Sequence, residues 1–140
     1  MNATTSFKEL KNSFGKVYLT IHYNDARRWI YNEWQGLLSL ENVKEGATEV
    51  LKLLQEKECS LLLNDNRQII GSWSHSNDWI ANEWIPAAID VGLKRFAHIV
   101  SPGIFGAASA VEMQHRVGDK FEMRLFQDID AAESWLEEPF

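Results

Sequence analysis

An internal disulfide is closed to this chain, because its 140 residues hold a single cysteine, Cys59. That thiol opens the apolar stretch Cys59-Ser60-Leu61-Leu62-Leu63, so a buried and inert role is expected of it. A catalytic cysteine more often stands at the far end of a strand beside a base. No apolar run approaches the length of a membrane span. Positive charge is also scarce: 14 Lys and Arg face 20 Asp and Glu, a net charge of −6. That sign opposes a broad nucleic-acid footprint and an anionic membrane surface. The N-terminal Met1-Asn2-Ala3-Thr4-Thr5-Ser6-Phe7-Lys8-Glu9-Leu10 has no apolar core, so a signal peptide is not expected and the cytoplasm is the default location. Internal repeats, low-complexity tracts and a glycine-rich phosphate cradle are missing too.

What remains is an ordinary globular composition, with 45% hydrophobic residues. A chain of this length fits one domain and buries roughly 68% of its unfolded surface. Val17, Leu19, Ile21 and Tyr23 alternate with Tyr18, Thr20 and His22, the period of a half-buried strand. After the Asn24-Asp25-Ala26 turn, Arg28 to Trp34 reads as its hairpin partner, ended by Gly36. Asn42 and Glu45 have capping-box spacing, and Val43, Ala47, Val50, Leu51 and Leu54 then make one apolar helical stripe. Ser60 to Asn64 reads as a strand covered on both faces. A helix follows over about Asn77 to Val91, with Pro86 imposing a kink or a late start and Gly92 as its cap. Phe96 to Val100 is the next strand and Ile104 to His115 a small-residue helix. Phe121 to Phe126 is the last strand, and a final helix is capped by Asp130 with Glu133 at N3.

The order is β-β-α-β-α-β-α-β-α. It implies an α/β fold with a mixed, mostly parallel five-stranded sheet and helices packed on it. Residues 17–140 form the single domain. Residues 1–16 are expected as an N-terminal arm or a short helix, since Phe7, Leu10 and Phe14 recur at helical spacing.

Three stretches carry a likeness: the apolar strand ending in Leu63-Asn64-Asp65, the run Gly92-Leu93-Lys94-Arg95-Phe96-Ala97-His98-Ile99-Val100, and the closing Ala131-Ala132-Glu133-Ser134-Trp135-Leu136. With the element order, they make the chain resemble the STAS family, the sulfate-transporter and anti-sigma-factor-antagonist domains, and its bacterial stand-alone relatives. The resemblance covers about Val17 to Glu138. It implies a regulatory or binding module rather than an enzyme, and some related folds hold apolar ligands. Antagonist members carry a phosphorylatable residue in an Asp-Ser-Ser-Gly-like turn. Here the region is Asp65-Asn66-Arg67-Gln68-Ile69-Ile70-Gly71-Ser72-Trp73, with no Asp directly before its serine. Phosphorylation is therefore not expected; Ser72 is the position if any.

Between Gly71 and Trp84 the chain spends three Trp and three Ser on one connector. Ligands of open α/β sheets meet the crevice beyond the strands' carboxyl ends. There Asn64, Asp65, Asn66 and Ser101 are expected to converge with Ser72, Trp73, Ser74, His75 and Trp79 into a rim; Gln127 and Asp128 leave the last strand on that side. Taken singly, Asn, Asp and Ser are what strand-to-helix turns need anyway. Trp84 reads as helix core with Ile80, Trp79 is intermediate, and Trp73, in a polar loop without periodicity, is the best candidate for a functional aromatic. Ser76 or Asn77 reads as an N-cap, and free N–H groups at that helix start would suit an anion. His22, His75, His98 and His115 read as isolated surface histidines, without zinc-ligand spacing, and no metal or cofactor is expected.

Three functions compete. The first is a non-enzymatic binding or regulatory domain that takes a small apolar or anionic ligand, or a partner protein, at the rim. The second is a small hydrolase-type enzyme using Asp65 and His75; no G-x-S-x-G elbow supports it. The third, a two-component receiver, lacks the acidic pair and the lysine it needs. A homodimer could form if Trp29 and Tyr31 lie on an exposed edge strand.

Overall fold

Within the stretch expected as an arm, Thr4–Lys11 is a strand. The computed structural model describes the backbone of residues 4–140, with side chains except at 4–7 and 104–106. In it β1 (Thr4–Lys11) pairs antiparallel with β2 (Val17–Asn24). The helical spacing of Phe7, Leu10 and Phe14 is broken by a turn. Asn12 Oδ1 accepts from the backbone N–H groups of Phe14 and Lys16, and Phe14 is left 85% exposed. Leu10 stands opposite Leu19 and packs on the core; the side chain of Phe7 and residues 1–3 lie outside the described residues.

β3 (Trp29–Gly36) continues the antiparallel meander. β4 (Leu61–Ile69), β5 (Arg95–Ile99) and β6 (Glu122–Phe126) are then added in parallel. The sheet thus has six strands, not five, in the order β1-β2-β3-β4-β5-β6. Crossovers of one hand between strands laid down in sequence order put their helices on one face. α1 (Leu40–Glu56), the helical segment 74–90 and α4 (Ile104–Val117) cover that face, where Leu19, Ile21, Ile30 and Leu62 meet Val50, Leu54, Trp84, Ile85 and Met113. α5 (Ile129–Leu136) follows the last strand and takes the other face. There Ala132, Trp135 and Leu136 cover Trp29, Leu63, Ala97 and Ile99.

This arrangement overturns the edge-strand argument for a homodimer. β3 lies inside the sheet, Trp29 is only 2% exposed, and Tyr31 is held by a hydrogen bond to Asp65.

Two helix starts lie upstream of their expected caps. Ser39 caps α1: its Oγ accepts from Asn42 N–H, while Asn42 Oδ1 accepts from Ser39 N–H. Asp128, not Asp130, caps α5 by accepting from Ala131 N–H. Each shift brings one more apolar residue, Leu40 or Ile129, into the helix.

Pro86 acts more locally than a kink. It has no N–H to give, and Ile85 N–H reaches five residues back to Ile80 O. The helix widens into a π segment at Ile80–Trp84 and resumes as α3 (Ile85–Asp90) with Pro86 in its first turn. Before it come a 3-10 turn at Ser74–Ser76 and the single α turn α2 (Asn77–Trp79).

Gly46 sets how closely α1 lies on the sheet. A Cβ there would stand 2.6 Å from Trp34 Cη2 and 2.7 Å from Leu19 Cδ2. Gly46→Ala is expected to cost about 1–3 kcal/mol by overpacking, despite the better helix propensity of Ala. Urea denaturation would read this as a lower midpoint at unchanged slope; a midpoint at or above that of the parent chain would mean that the helix shifts freely.

Candidate functional site

β4 does not end at Asn64 but runs on to Ile69. Alternation along this longer strand divides the expected trio between the two faces. Asn64 and Asn66 face the helix layer, and Asp65 faces the other way. Asn32 pairs in register with Asn64, and Asn64 with His98. Three polar residues on adjacent strands therefore form a row across the middle of the apolar sheet, with Ile21 beyond one end and Leu125 beyond the other.

A cavity of about 70 Å³ lies between this row and the helices, where one water needs on the order of 10–15 Å³. Asn32, Asn64, Asn66 and His98 line its floor, and Trp34, Trp73, Trp84 and Phe96 are among its walls. Trp34 Nε1–H donates to Asn64 Oδ1 at 2.8 Å. Asn64 Nδ2 donates to Asn66 Oδ1 at 3.0 Å and to His98 Nδ1 at 3.2 Å. Trp73 packs tilted against His98 with ring centroids 5.7 Å apart, and Phe96 stacks on the same imidazole at 6.0 Å. Among the described residues, Asn32 Oδ1 and Trp73 Nε1, in two of the lining residues, are buried without a hydrogen-bond partner, as is Asn77 Oδ1 outside the cavity. Each such atom carries a desolvation cost of about 1–3 kcal/mol until something pairs with it.

His98 corrects the reading of a surface histidine. It is 2% exposed, and burial pushes its imidazole down to about 4, against a smaller opposing pull from the Asp65 carboxylate. The ring is neutral at pH 7, so the cavity floor carries no positive charge.

On the opposite face Asp65 is fully engaged. Tyr31 Oη donates to its Oδ2 at 2.7 Å, and Arg67 grips the carboxylate with Nε, Nη2 and its backbone N–H at 2.7–3.2 Å. Burial alone would raise its pKa, but the hydrogen bonds from Arg67 and Tyr31 outweigh it and hold the carboxyl below the usual range. His22 stacks on Tyr31 at 5.4 Å and contacts Glu33 Oε1 through Nε2 at 2.8 Å.

The expected rim therefore does not converge as a whole. Asn64, Asn66 and Trp73 meet at the cavity, and His98 and Asn32 join them. Asp65 is on the far face of the sheet from His75, whose Nε2 lies 3.0 Å from Leu38 O and whose Nδ1 lies 2.9 Å from Ser76 Oγ. Ser72 and Ser74 bond to each other and to Ser109 of α4, which ties the connector to that helix. Ser76 makes no side-chain cap, because a 3-10 turn precedes it; the short helix start offers no anion site of the expected kind. Trp79 is half-buried against the core, and Ser101 is buried beyond β5. Gln127 is exposed, and Asp128 is used as the cap of α5.

No protein-family model and none of the curated proteins searched matches this chain. Among the described residues no group of three or more His, Cys, Asp or Glu is placed to hold a metal ion, and no helix is long and apolar enough to cross a membrane. Sequence spacing could have found part of the row: Leu62, Asn64 and Asn66 alternate with Leu63, Asp65 and Arg67 once the strand is extended.

Proposed function

We propose that this chain is a non-enzymatic binding or regulatory domain of STAS-like type that takes a small, mostly apolar ligand in the cavity between the sheet and the helix layer. One observation carries the reading: the main core leaves a cavity of about 70 Å³ unfilled between sheet and helices, walled by Trp34, Trp73, Trp84 and Phe96, where interiors are otherwise close-packed. The π segment at Ile80–Trp84 supports the same reading, since it contributes Ile80 and Trp84 to the wall and such segments recur at functional sites. A hydrolase-type use of Asp65 with His75 has less support, because Asp65 is committed to Arg67 and Tyr31 across the sheet.

Native mass spectrometry and a thermal-shift screen of apolar compounds of a few heavy atoms test the proposal. A fitting ligand at a hundredfold excess over its Kd is expected to raise Tm by about 5–10 °C. Trp73→Ala is expected to abolish most of that shift. A chain that is always bare and that no compound stabilises would refute the reading.

A further inference from the structure

Arg95 is buried although its charge is permanent. It opens β5 and is 6% exposed. Its Nε meets Glu122 Oε1 at 3.2 Å, on a side chain that is itself more than half exposed. Its other polar contacts are neutral carbonyls at the end of α5 and just beyond it. Nη1 donates to Trp135 O at 3.3 Å and to Glu138 O at 2.6 Å, and Nη2 donates to Pro139 O at 3.2 Å. The Trp135 and Phe140 rings lie 5.5 Å and 4.4 Å from its Cζ. The last carbonyls of a helix lack intrahelical partners, and α5 has no basic residue in its last turn. A cation from another element fills that role. Replacing a buried charge by a well-packed apolar side chain is often neutral, so stability alone gives no reason for an arginine here. What the arginine adds is a condition: its three acceptors stand together only when the end of α5 and residues 137–140 are both in place.

Eight residues are too few for a helix to persist alone in water, so α5 exists by its docking. It packs in a core of its own, on Trp29, Leu63, Ala97 and Ile99. The larger core, on the other face of the sheet, is closed by α1, the 74–90 segment and α4. Undocking α5 therefore opens the smaller core and keeps the larger one intact. Two further arginines fasten the same end: Arg27 pairs with Glu137 at 3.3 Å, and Arg124 lies over the Trp135 ring at 5.2 Å. We propose that α5 and residues 137–140 form a strap over the second face of the sheet, that the strap opens as one unit ahead of the rest of the fold, and that Arg95 is its latch. Opening bares Trp29, Leu63, Ala97 and Ile99 and gives the guanidinium and its carbonyls to water. The strap is independent of the cavity, which lies on the other face of the sheet.

Hydrogen exchange of the full chain at pH 7.5, read peptide by peptide by mass spectrometry, tests the strap. The α5 amides from Ala132 to Glu137 are expected to exchange about tenfold or more faster than those of α1 from Ala47 to Leu54. Arg95→Met keeps an unbranched side chain and removes the charge. It is expected to speed the α5 amides about tenfold further and to leave the α1 amides unchanged. Phe140→Ala is the second variant, because Phe140 is 73% exposed and its loss leaves both cores untouched. About two- to fivefold faster exchange of the same amides is expected of it. Should Arg95→Met not fold, Phe140→Ala decides by the same comparison. Equal protection of α5 and α1 in the parent chain would mean that there is no separate opening, and would overturn the strap. Unchanged α5 exchange in both variants would overturn Arg95 as its latch. Acceleration spread evenly over α1, β4 and α5 would make Arg95 an ordinary core residue and overturn the proposal as well.

Discussion

Acidification from pH 7 to pH 4 is expected to remove about 3 kcal/mol of folding stability through His98 alone. Its imidazole is held near 4 in the folded chain by burial, while an unfolded histidine titrates near 6.5. Between these values the unfolded chain binds a proton that the folded chain refuses. Stability therefore rises with pH across that window and is fully present above about 6.5. The Asp65 contribution has the opposite setting: its folded value lies below 3.8, so it holds through this window and is lost only at lower pH. Urea denaturation at pH 7.5, 6, 5 and 4 measures the slope. His98→Gln cannot titrate there and is expected to flatten it, whatever it costs at pH 7.5. An equally steep loss in that variant would assign the acid sensitivity to other groups.

Trp84→Ala is expected to cost about 3–5 kcal/mol, a large share of the 5–15 kcal/mol that holds a domain together. Trp84 is 5% exposed and meets Phe96 edge-on at 6.2 Å. Its Nε1–H donates to Ala47 O at 2.7 Å, which clamps the π segment to α1. Truncation removes the ring from the wall of an existing cavity, so the void grows instead of collapsing. Trp84→Phe retains much of the packing and loses only the clamp, and it is expected to cost less than half as much. Chemical denaturation of the two variants gives the comparison. Equal losses would place the energy in the hydrogen bond rather than in the ring.

The α/β class was legible because the strongest signals are local. Leu19, Ile21 and Tyr23 alternate, and Val43, Ala47, Val50 and Leu54 recur at helical spacing; each pattern commits its own segment whatever lies opposite. The sixth strand was hidden because Phe7, Leu10 and Phe14 straddle a turn that Asn12 organises, and spacing alone cannot see across a turn. The cap positions slipped because Ser39 and Asn42, or Asp128 and Asp130, offer equivalent side-chain oxygens, and spacing alone does not say which of them meets the free N–H groups.

The candidate site divides in the same way. Trp73 stood out in the sequence as an aromatic without a periodic reason for burial, and it does line the cavity. His98 and Asn32 did not stand out, since nothing in either one's own strand shows which residue it meets on the next. Parallel pairing in register is what sets them beside Asn64, and that register comes from the crossovers and not from any segment's own residues. Sequence by itself determined which stretches are helix or strand, because hydrophobic periodicity is a property of neighbours along the chain. Only the tertiary structure decided that Asn32, Asn64 and His98 form one row over a cavity while Asp65 faces away. Strand alternation assigns each side chain to a face, and the length of β4 sets where that alternation applies.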